Sequence, residues 1–544
     1  MVHTTTAVLF ESTDAAAVLL DPANQDWLAV VKAVAGERFE SLALRYFLAL
    51  SHFRRAGSRP AIPGRTTVSA AGKEQAQQGM LELLVARKAS HAGHKARDET
   101  GMFVDPHPLR EEEALPQALR DFSQAPPSLR DQLSGPGRPP CDALCLIRAF
   151  LGAPVMGLTD APSSVFSLLR SNPTFARACG FLGPGAVRQP GELVSRRLPS
   201  LAVCEEFSEV MTRYGLWHAA RIDEVRCNLA TGVVEVESTL AFDTTHMEAN
   251  SHCANVVPPD AKIEEGKRPK HRKVPRMRKN CHCGKATWET CEHVWSPTDQ
   301  GAAVVVKGPT RVYWAHKTSV VSFGDSEIPI DVRVLQYASE HDGKTLIPHL
   351  HVLQREMPEV IETLEHVLAD DAYKENRAGV AEFGQQARLT VPVHPNNKSK
   401  ATIAAEFAGI ARFTPIGIPV CDAGHRFEML GRDLQGQRFI WAAPSGACAG
   451  CPSAPGCLTN GKRRNIRLSR GDFPQIDWDN PQHLQRNKAR YQRRTGVERA
   501  IKRLKVDLKA EELGHRDSLR VQAHIDRKLL TMHLLLRAAH SGQL

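Results

Sequence analysis

The stretch 486–509 combines a dense positive charge with very few acids. Ten lysines and arginines fall within it, against two acids, one of which is Glu498. Such a field favours a phosphate-bearing partner. At about 100° per residue, four side chains would share one helical stripe roughly 60° wide. They are an aromatic, a guanidinium, a carboxylate and an ammonium: Tyr491, Arg494, Glu498 and Lys505.

A helix is the element that must carry this stripe. Asn480 can cap it, Pro481 can occupy its first position, and Gly514 can end it. The alternative without function is a solvated basic helix with one ion pair between Arg494 and Glu498 at i,i+4.

Two aspartates upstream follow strand-like patterns. Residues 233–250 alternate as a strand that ends at Asp243, and residues 365–373 give a short apolar run that reaches Asp370. The neighbouring Asp371 competes with Asp370, and only one of the two can face a site because side chains alternate along a strand. Taken singly, each aspartate is also typical of a turn at a strand end.

The spacing of the basic segment resembles the Y-R-E-K signature of insertion-sequence DDE transposases. The matching residues are Tyr491, Arg494, Glu498 and Lys505. In that family the glutamate is the third catalytic acid.

The two upstream motifs resemble the first and second acidic motifs of the same family. Asp243 begins a D-x-T motif, and an A-N pair follows at 249–250. Asp370 stands three residues before Tyr373, which selects it over Asp371, although Ala372 occupies the position where the family has glycine. The resemblance extends over residues 136–540.

The resemblance implies an RNase H-like, mixed-sheet α/β domain that cuts and joins double-stranded DNA. Two divalent ions about 3.5 to 4 Å apart would activate the nucleophile and stabilise the leaving oxygen, and Mg²⁺ prefers oxygen ligands. Asp243 would bridge both ions, Asp370 would bind one and Glu498 the other; Mn²⁺ can substitute. Tyr491, Arg494 and Lys505 would contact DNA near the cut.

The chain is too long for one ordinary core, so several domains are expected. We predict a helical region of unassigned role (1–135), a helical DNA-binding module (136–225), the catalytic domain (226–510) with insertions at 251–310 and 395–479, and a C-terminal helix (511–544). The predicted helices are 23–56, 73–90, 345–364 and 375–387. The predicted strands are 233–242, 311–322, 328–338, 366–370 and 388–393, with a hairpin that turns at 433–436.

The first insertion contains a basic run. Residues 267–280 hold eight lysines and arginines among fourteen residues and no acid, which favours contact with the DNA backbone. The residues assigned to that contact are Arg272, Lys273, Arg276 and Arg278.

Two cysteine groups have the residue types of zinc sites. The first comprises Cys421, Cys448, Cys451 and Cys457. The second comprises Cys281, Cys283, Cys291 and His293, with a less typical spacing. The alternative for both is reduced structural thiols. Neither group is expected to be catalytic, because DNA cleavage needs ions held by oxygen ligands.

Three further polar residues have ordinary structural interpretations. His316 and Lys317 follow an aromatic pair, and the sequence leaves two alternatives for them, an approach to the site or a place on a strand surface. Asp342 precedes a glycine and a helix, so a turn or cap is expected.

Composition restricts the class of protein. A net charge of +10 and a pI near 9.0 indicate a polyanionic partner. The absence of a long apolar run or a signal-like start favours a cytoplasmic, nucleoid-associated protein with no membrane partner. A homodimer is expected, because two DNA ends must be paired. The alternatives to a transposase are a domesticated DNA-binding regulator and another RNase H-like nuclease.

Overall fold

The computed structural model describes most of the chain in segments. They are residues 26–55, 102–103, 140–182, 195–249, 299, 301–307, 311–392, 409–414, 417–433, 435, 438–458, 463–469 and 484–542. The predicted helix at 73–90, the basic run at 267–280 and the second cysteine group lie outside these ranges.

The helices of the described residues fall into an N-terminal set, a central set and a C-terminal set. In chain order they are α1 Asp26–Ala33, α2 Glu37–Arg55, α3 Ala143–Val155, α4 Pro162–Ser171, α5 Pro173–Ala178, α6 Leu201–Arg213, α7 Leu216–Ala230, α8 Leu346–Glu356, α9 Pro358–Glu362, α10 Arg377–Val380, α11 Ala454–Cys457, α12 Gln485–Gln492, α13 Thr495–Lys502 and α14 Ser518–His540. Within the described ranges, no helix combines the length and the apolar character needed to cross a bilayer.

The main sheet is mixed. Its strands are β1 Thr239–Glu248, β2 Ala303–Lys307, β3 Arg311–Phe323, β4 Pro329–Val334, β5 His366–Leu368 and β6 Arg388–Thr390. β1 lies at the centre, with the long β3 antiparallel on one side and β5 parallel on the other. β2 and β4 pair with successive parts of β3, and β6 runs parallel to β5. This arrangement is compatible with an RNase H-like DDE domain.

Helix α14 lies between two hydrophobic cores. Ile525 and Leu529 belong to the core of the main sheet, whereas Leu530 and Leu534 pack with α1, α3, α6 and α7. Because both sides of the helix are covered, most of its residues are buried. The helices before the sheet and the sheet itself are therefore joined through the C-terminal helix.

Residues 409–469 form a smaller unit with its own core. Its strands are β7 Ile410–Phe413, β8 Pro419–Cys421, β9 Glu428–Arg432, β10 Arg438–Ala442 and β11 Asn465–Ser469. β9, β10 and β11 form an antiparallel sheet, and β7 pairs with β8. The predicted hairpin on either side of 433–436 is confirmed as β9 and β10.

The element boundaries correct several predictions. β1 begins later than predicted and continues to Glu248, so Asp243 lies within the strand and not at its end. Pro358 divides the predicted helix 345–364 into α8 and α9, since proline cannot donate the next helical hydrogen bond. The helix predicted at 375–387 is reduced to α10 after a 3-10 turn, and β2 was not predicted. Strands β3 and β4 are confirmed.

The helix predicted through Glu498 is also divided. α12 ends before a turn at Arg493 and Arg494, α13 follows, and a π-helical turn covers Arg503–Asp507. The predicted helix at 23–56 is likewise split into α1 and α2, where Gly36 adopts a positive φ.

Candidate active site

Two parallel strands bring Asp243 and Asp370 to the same level of the sheet. Ala241 of β1 pairs with Leu368 of β5, and each aspartate stands two residues further along the chain. Neighbouring parallel strands rise in step, so both acids emerge at the same edge.

A tight turn orients Asp370. Its carboxylate accepts a hydrogen bond from the amide of Ala372 at 2.9 Å and so caps the 3-10 turn Asp371–Asn376. Ala372 is not among the residues with positive φ, so this turn does not require the family glycine. Gly343 is the glycine that packing demands here, because a Cβ on it would stand 2.3 Å from the carbonyl oxygen of Ala372.

The loop between β3 and β4 fixes the helix that carries Glu498. Glu327 of this loop accepts hydrogen bonds from Arg499, one of them at 2.7 Å, and from Arg503. Gly496 allows the close approach, since a Cβ there would stand 2.9 Å from Cγ of Glu327. Arg499 and Arg503 belong to the basic stretch for which the sequence predicts a phosphate-bearing partner. In the structure they hold α13 against the sheet instead.

Arg494 connects the acids from different elements. Its guanidinium lies 3.6 Å from a carboxylate oxygen of Asp243 and pairs with Glu498, as the i,i+4 spacing predicts. Asp243 and Arg494 are largely buried, whereas about half of the Glu498 side chain is exposed. Asp243 and Glu498 therefore share one guanidinium at a partly open edge of the sheet, and the charge of Arg494 also acts on Asp370.

The electrostatics of the two aspartates suit a cation. Burial raises the pKa of Asp243 to about 6, and the charges of Asp370 and Glu498 contribute to the rise. The hydrogen bond from the Thr244 amide and the charge of Arg494 act in the opposite direction. Burial also raises the pKa of Asp370, with Asp342 and Asp371 contributing in the same direction. Neighbouring carboxylates make one another's negative charge less favourable, and a bound cation would relieve this. Because they offer only oxygen ligands, they suit a hard divalent ion such as Mg²⁺.

The remaining signature residues lie against the same strands. Burial raises the pKa of Tyr491 to about 12, and the charge of Asp370 contributes, which places this phenol beside the acids. Lys505, within the π-helical turn, donates to the carbonyl of His246 on β1 and to Glu511 at 2.6 Å. Although the helix is broken at Arg493–Arg494 and at the π-helical turn, the four signature residues all lie beside β1 or the acids. The basic residues predicted to contact DNA at 272–278 lie outside the described residues.

Sequence reasoning missed a fourth acid at this edge. Thr244 donates its amide to Asp243 at 2.8 Å and its hydroxyl to Asp342 at 2.7 Å, and the buried Lys317 pairs with Asp342. Although burial opposes it, the hydrogen bonds from Lys317 and Thr244 hold the pKa of Asp342 below its usual value. Asp342 also begins the turn expected of it, Asp342–Lys344, so the only available signal was an acid before glycine.

Two other polar clusters are structural. His316 is buried and bonded to Asp299 at 2.8 Å, beside the start of α14. Among the described residues, Asp160, His515 and His524 bring three candidate ligand atoms within 4.8 Å of one another. The guanidinium of Arg527 already lies 2.6 Å from Asp160, so this carboxylate is neutralised without a metal.

Comparison with known families bears on the part of the chain that carries Glu498. A family model described as a transposase DDE domain matches residues 420–534. The match supports a transposase of the DDE family. It includes the 409–469 unit from β8 onward, the Glu498 helix and most of α14, whereas the strands with Asp243 and Asp370 lie before it in the chain.

Comparison with curated proteins gives no match to this chain. The family match indicates an enzyme that cuts nucleic acid, a DNA partner and a dependence on divalent metals, which DDE transposases generally use. The assignment of individual residues depends on the geometry above.

Proposed function

We propose that this protein is a DNA transposase that cuts the ends of an insertion-sequence element and transfers the 3′ ends to target DNA. One observation carries the proposal. Asp243 and Asp370 stand at equivalent positions on adjacent parallel strands, and Arg494 links Asp243 to Glu498 on the helix that crosses them.

Asp243, Asp370 and Glu498 would hold Mg²⁺ or Mn²⁺ at this edge. Bound there, a pair of divalent ions would activate the attacking oxygen and stabilise the leaving oxygen of the phosphodiester. The protein's part is to hold three oxygen ligands on rigid elements, the two strands and α13, so that little reorganisation is needed.

Tyr491, Arg494 and Lys505 are proposed to position DNA phosphate beside the acids. Arg494 is suited to this role because a divalent ion would compete with it for Asp243 and Glu498, and its planar guanidinium can pair with phosphate. The basic run at 267–280 would add backbone contacts. A homodimer would hold the two element ends together.

The test is Mg²⁺-dependent cleavage and joining of DNA that carries the terminal sequences flanking the coding region. We expect the wild-type protein to cut and join, and Glu498→Gln to bind the same DNA but to lose at least about 100-fold in rate. Glu512→Gln is the matched control, since Glu512 is exposed and follows the π-helical turn outside the acid cluster.

Three outcomes would contradict the proposal. Equal binding with no cleavage by either protein under permissive conditions would favour the DNA-binding regulator. Undiminished cleavage by Glu498→Gln would show that Glu498 is not a ligand. Cleavage of branched DNA without any dependence on terminal sequences would favour a different RNase H-like nuclease.

A further inference from the structure

The 409–469 unit has a small hydrophobic core for its length. Eight buried apolar side chains form this core, separate from the two larger ones: Ile410, Phe413, Phe427, Phe439, Trp441, Ala443, Ile466 and Leu468. Cores of units shorter than about 70 to 80 residues rarely supply more than about 3 to 5 kcal/mol, and such units commonly add a metal or disulfides. This unit therefore calls for a cross-link beyond its apolar contacts.

Four cysteines from three separate elements line one cavity beside this core. Cys421 ends β8, Cys448 and Cys451 lie in the turns after β10, and Cys457 ends α11. Cys421 and Cys448 also pack against the apolar core. The cavity thus gathers thiols that are up to 36 residues apart in the chain (457 − 421 = 36).

The backbone is shaped to bring these thiols inward. The amide of Cys451 donates to the carbonyl of Cys448 at 3.4 Å, which turns the C-x2-C pair toward one side. Gly409 allows Cys457 to approach, because a Cβ there would stand 2.7 Å from its Sγ. Gly409 also has a φ of +78°, in the left-handed region that favours glycine.

The sulfurs around this cavity are thiols. All four are free cysteines. Cysteine sulfurs gathered in this way are the ligand type that Zn²⁺ binds, as thiolates.

We propose that Cys421, Cys448, Cys451 and Cys457 bind one structural Zn²⁺ that closes the 409–469 unit. Four thiolates are a common tetrahedral zinc set, with Zn–S distances of about 2.3 Å. Among the described residues, only Asp160, His515 and His524 bring three candidate ligand atoms within 4.8 Å of one another. The cysteine sulfurs are therefore more widely spaced, and Zn²⁺ would draw them together on binding. The metal would be separate from the ions of the acid cluster, which need oxygen ligands.

The first test is metal content. We expect protein purified under reducing conditions without chelators to carry zinc, and Cys448→Ser with Cys451→Ser to lose about one equivalent per chain. Cys227→Ser is the matched control, because Cys227 is a half-buried thiol on α7, away from the cavity. Equal zinc content in the double variant and the control would overturn the proposal, as would wild-type protein without zinc.

A second test uses the wild-type chain, so it does not depend on a variant that folds. A zinc chelator should make Cys421, Cys448, Cys451 and Cys457 reactive to an alkylating reagent, as read by peptide mass mapping. The buried Cys145, Cys179 and Cys204 should stay unreactive. Alkylation of the four cysteines at the same rate with and without chelator would contradict a zinc site.

Discussion

At the residue scale, the candidate site contains acids that repel one another and one guanidinium, that of Arg494, which pairs with Asp243 and Glu498. Burial and two neighbouring acids raise the pKa of Asp243 to about 6. Its folded pKa lies above its unfolded value, so ionisation of Asp243 costs stability progressively as the pH rises from about 4 to about 6. A bound divalent cation would offset that cost.

We therefore expect the free energy of unfolding of Asp243→Asn, at pH 7.5 without metal, to exceed that of the wild type by roughly 1 to 3 kcal/mol. Mg²⁺ at ten times its Kd should stabilise the wild-type protein by about 1.4 kcal/mol and leave Asp243→Asn nearly unchanged. Thermal unfolding with and without Mg²⁺ measures both effects. Asp223→Asn, on the exposed side of α7, is the control. Equal Mg²⁺ shifts in all three proteins would place the ions elsewhere.

The same pKa predicts a pH limit for metal binding. Because protons compete with Mg²⁺ for Asp243, the Mg²⁺-induced rise in Tm should be present above pH 7 and should fade as the pH drops through about 6. Scans of Tm against pH, with and without Mg²⁺, check this. A metal effect that persists unchanged at pH 5 would contradict the role of Asp243.

Gly343 offers a test of how the Asp370 turn is positioned. Gly343→Ala should shift the turn and cost about 1 to 3 kcal/mol of stability, because its Cβ would meet the Ala372 carbonyl oxygen. Gly456→Ala is the control, since a Cβ there meets nothing within 4 Å. Urea unfolding compares the two, and equal stability of both variants would rule out the close contact.

At the element scale, a buried ionic network joins α7, β4 and α14. Arg221 of α7 lies 2.8 Å from Asp331 of β4 and 2.9 Å from Asp526 of α14, and all three are fully buried. Since each charge compensates another, removal of one partner leaves an uncompensated charge in the interior. The network therefore fixes how the helical region meets the sheet.

Arg221→Met should destabilise the protein by about 3 to 5 kcal/mol. Arg226→Met, on the same helix, removes an exposed pair with Glu359 and should cost at most about 1 kcal/mol. Urea unfolding of the two variants measures the contrast. A similar small loss for both would mean that Arg221 contributes no more than a surface pair.

At the scale of the whole molecule, buried neutral histidines set the acid limit of stability. Burial lowers the pKa of His524 and of His533 to about 4. Because these values lie below that of an unfolded histidine, the unfolded chain binds more protons between about pH 6.5 and 4, and stability is lost as the pH falls through that window.

We expect Tm to fall steeply between pH 6.5 and 4, and His533→Gln to flatten part of this fall. His533 is the suitable choice because it is fully buried and bonded to the carbonyl of Pro329 at 3.0 Å, away from the acid cluster. The exposed His540→Gln is the control. Identical pH profiles for the two variants would contradict the prediction.

The sequence by itself determined the motif chemistry and much of the main sheet. The spacing of Tyr491, Arg494 and Glu498 depends on local helical geometry, so the Arg494–Glu498 pair could be predicted. The strand-forming patterns of β3 and β4 were equally local. The family match at 420–534 agrees with the class of enzyme that these motifs indicated, while the roles of the three acids stay predictions.

Only the tertiary structure decided which distant residues support that chemistry. Strand register places Asp243 beside Asp370, and packing brings in Glu327 and Asp342, whose local sequence does not indicate a place at the acids. Burial also decided the pKa values of the acids, since the pKa of a carboxylate depends on the charges and solvent around it and not on its neighbours in sequence. Contacts between residues far apart in the chain depend on how whole elements pack, which no short window of sequence contains.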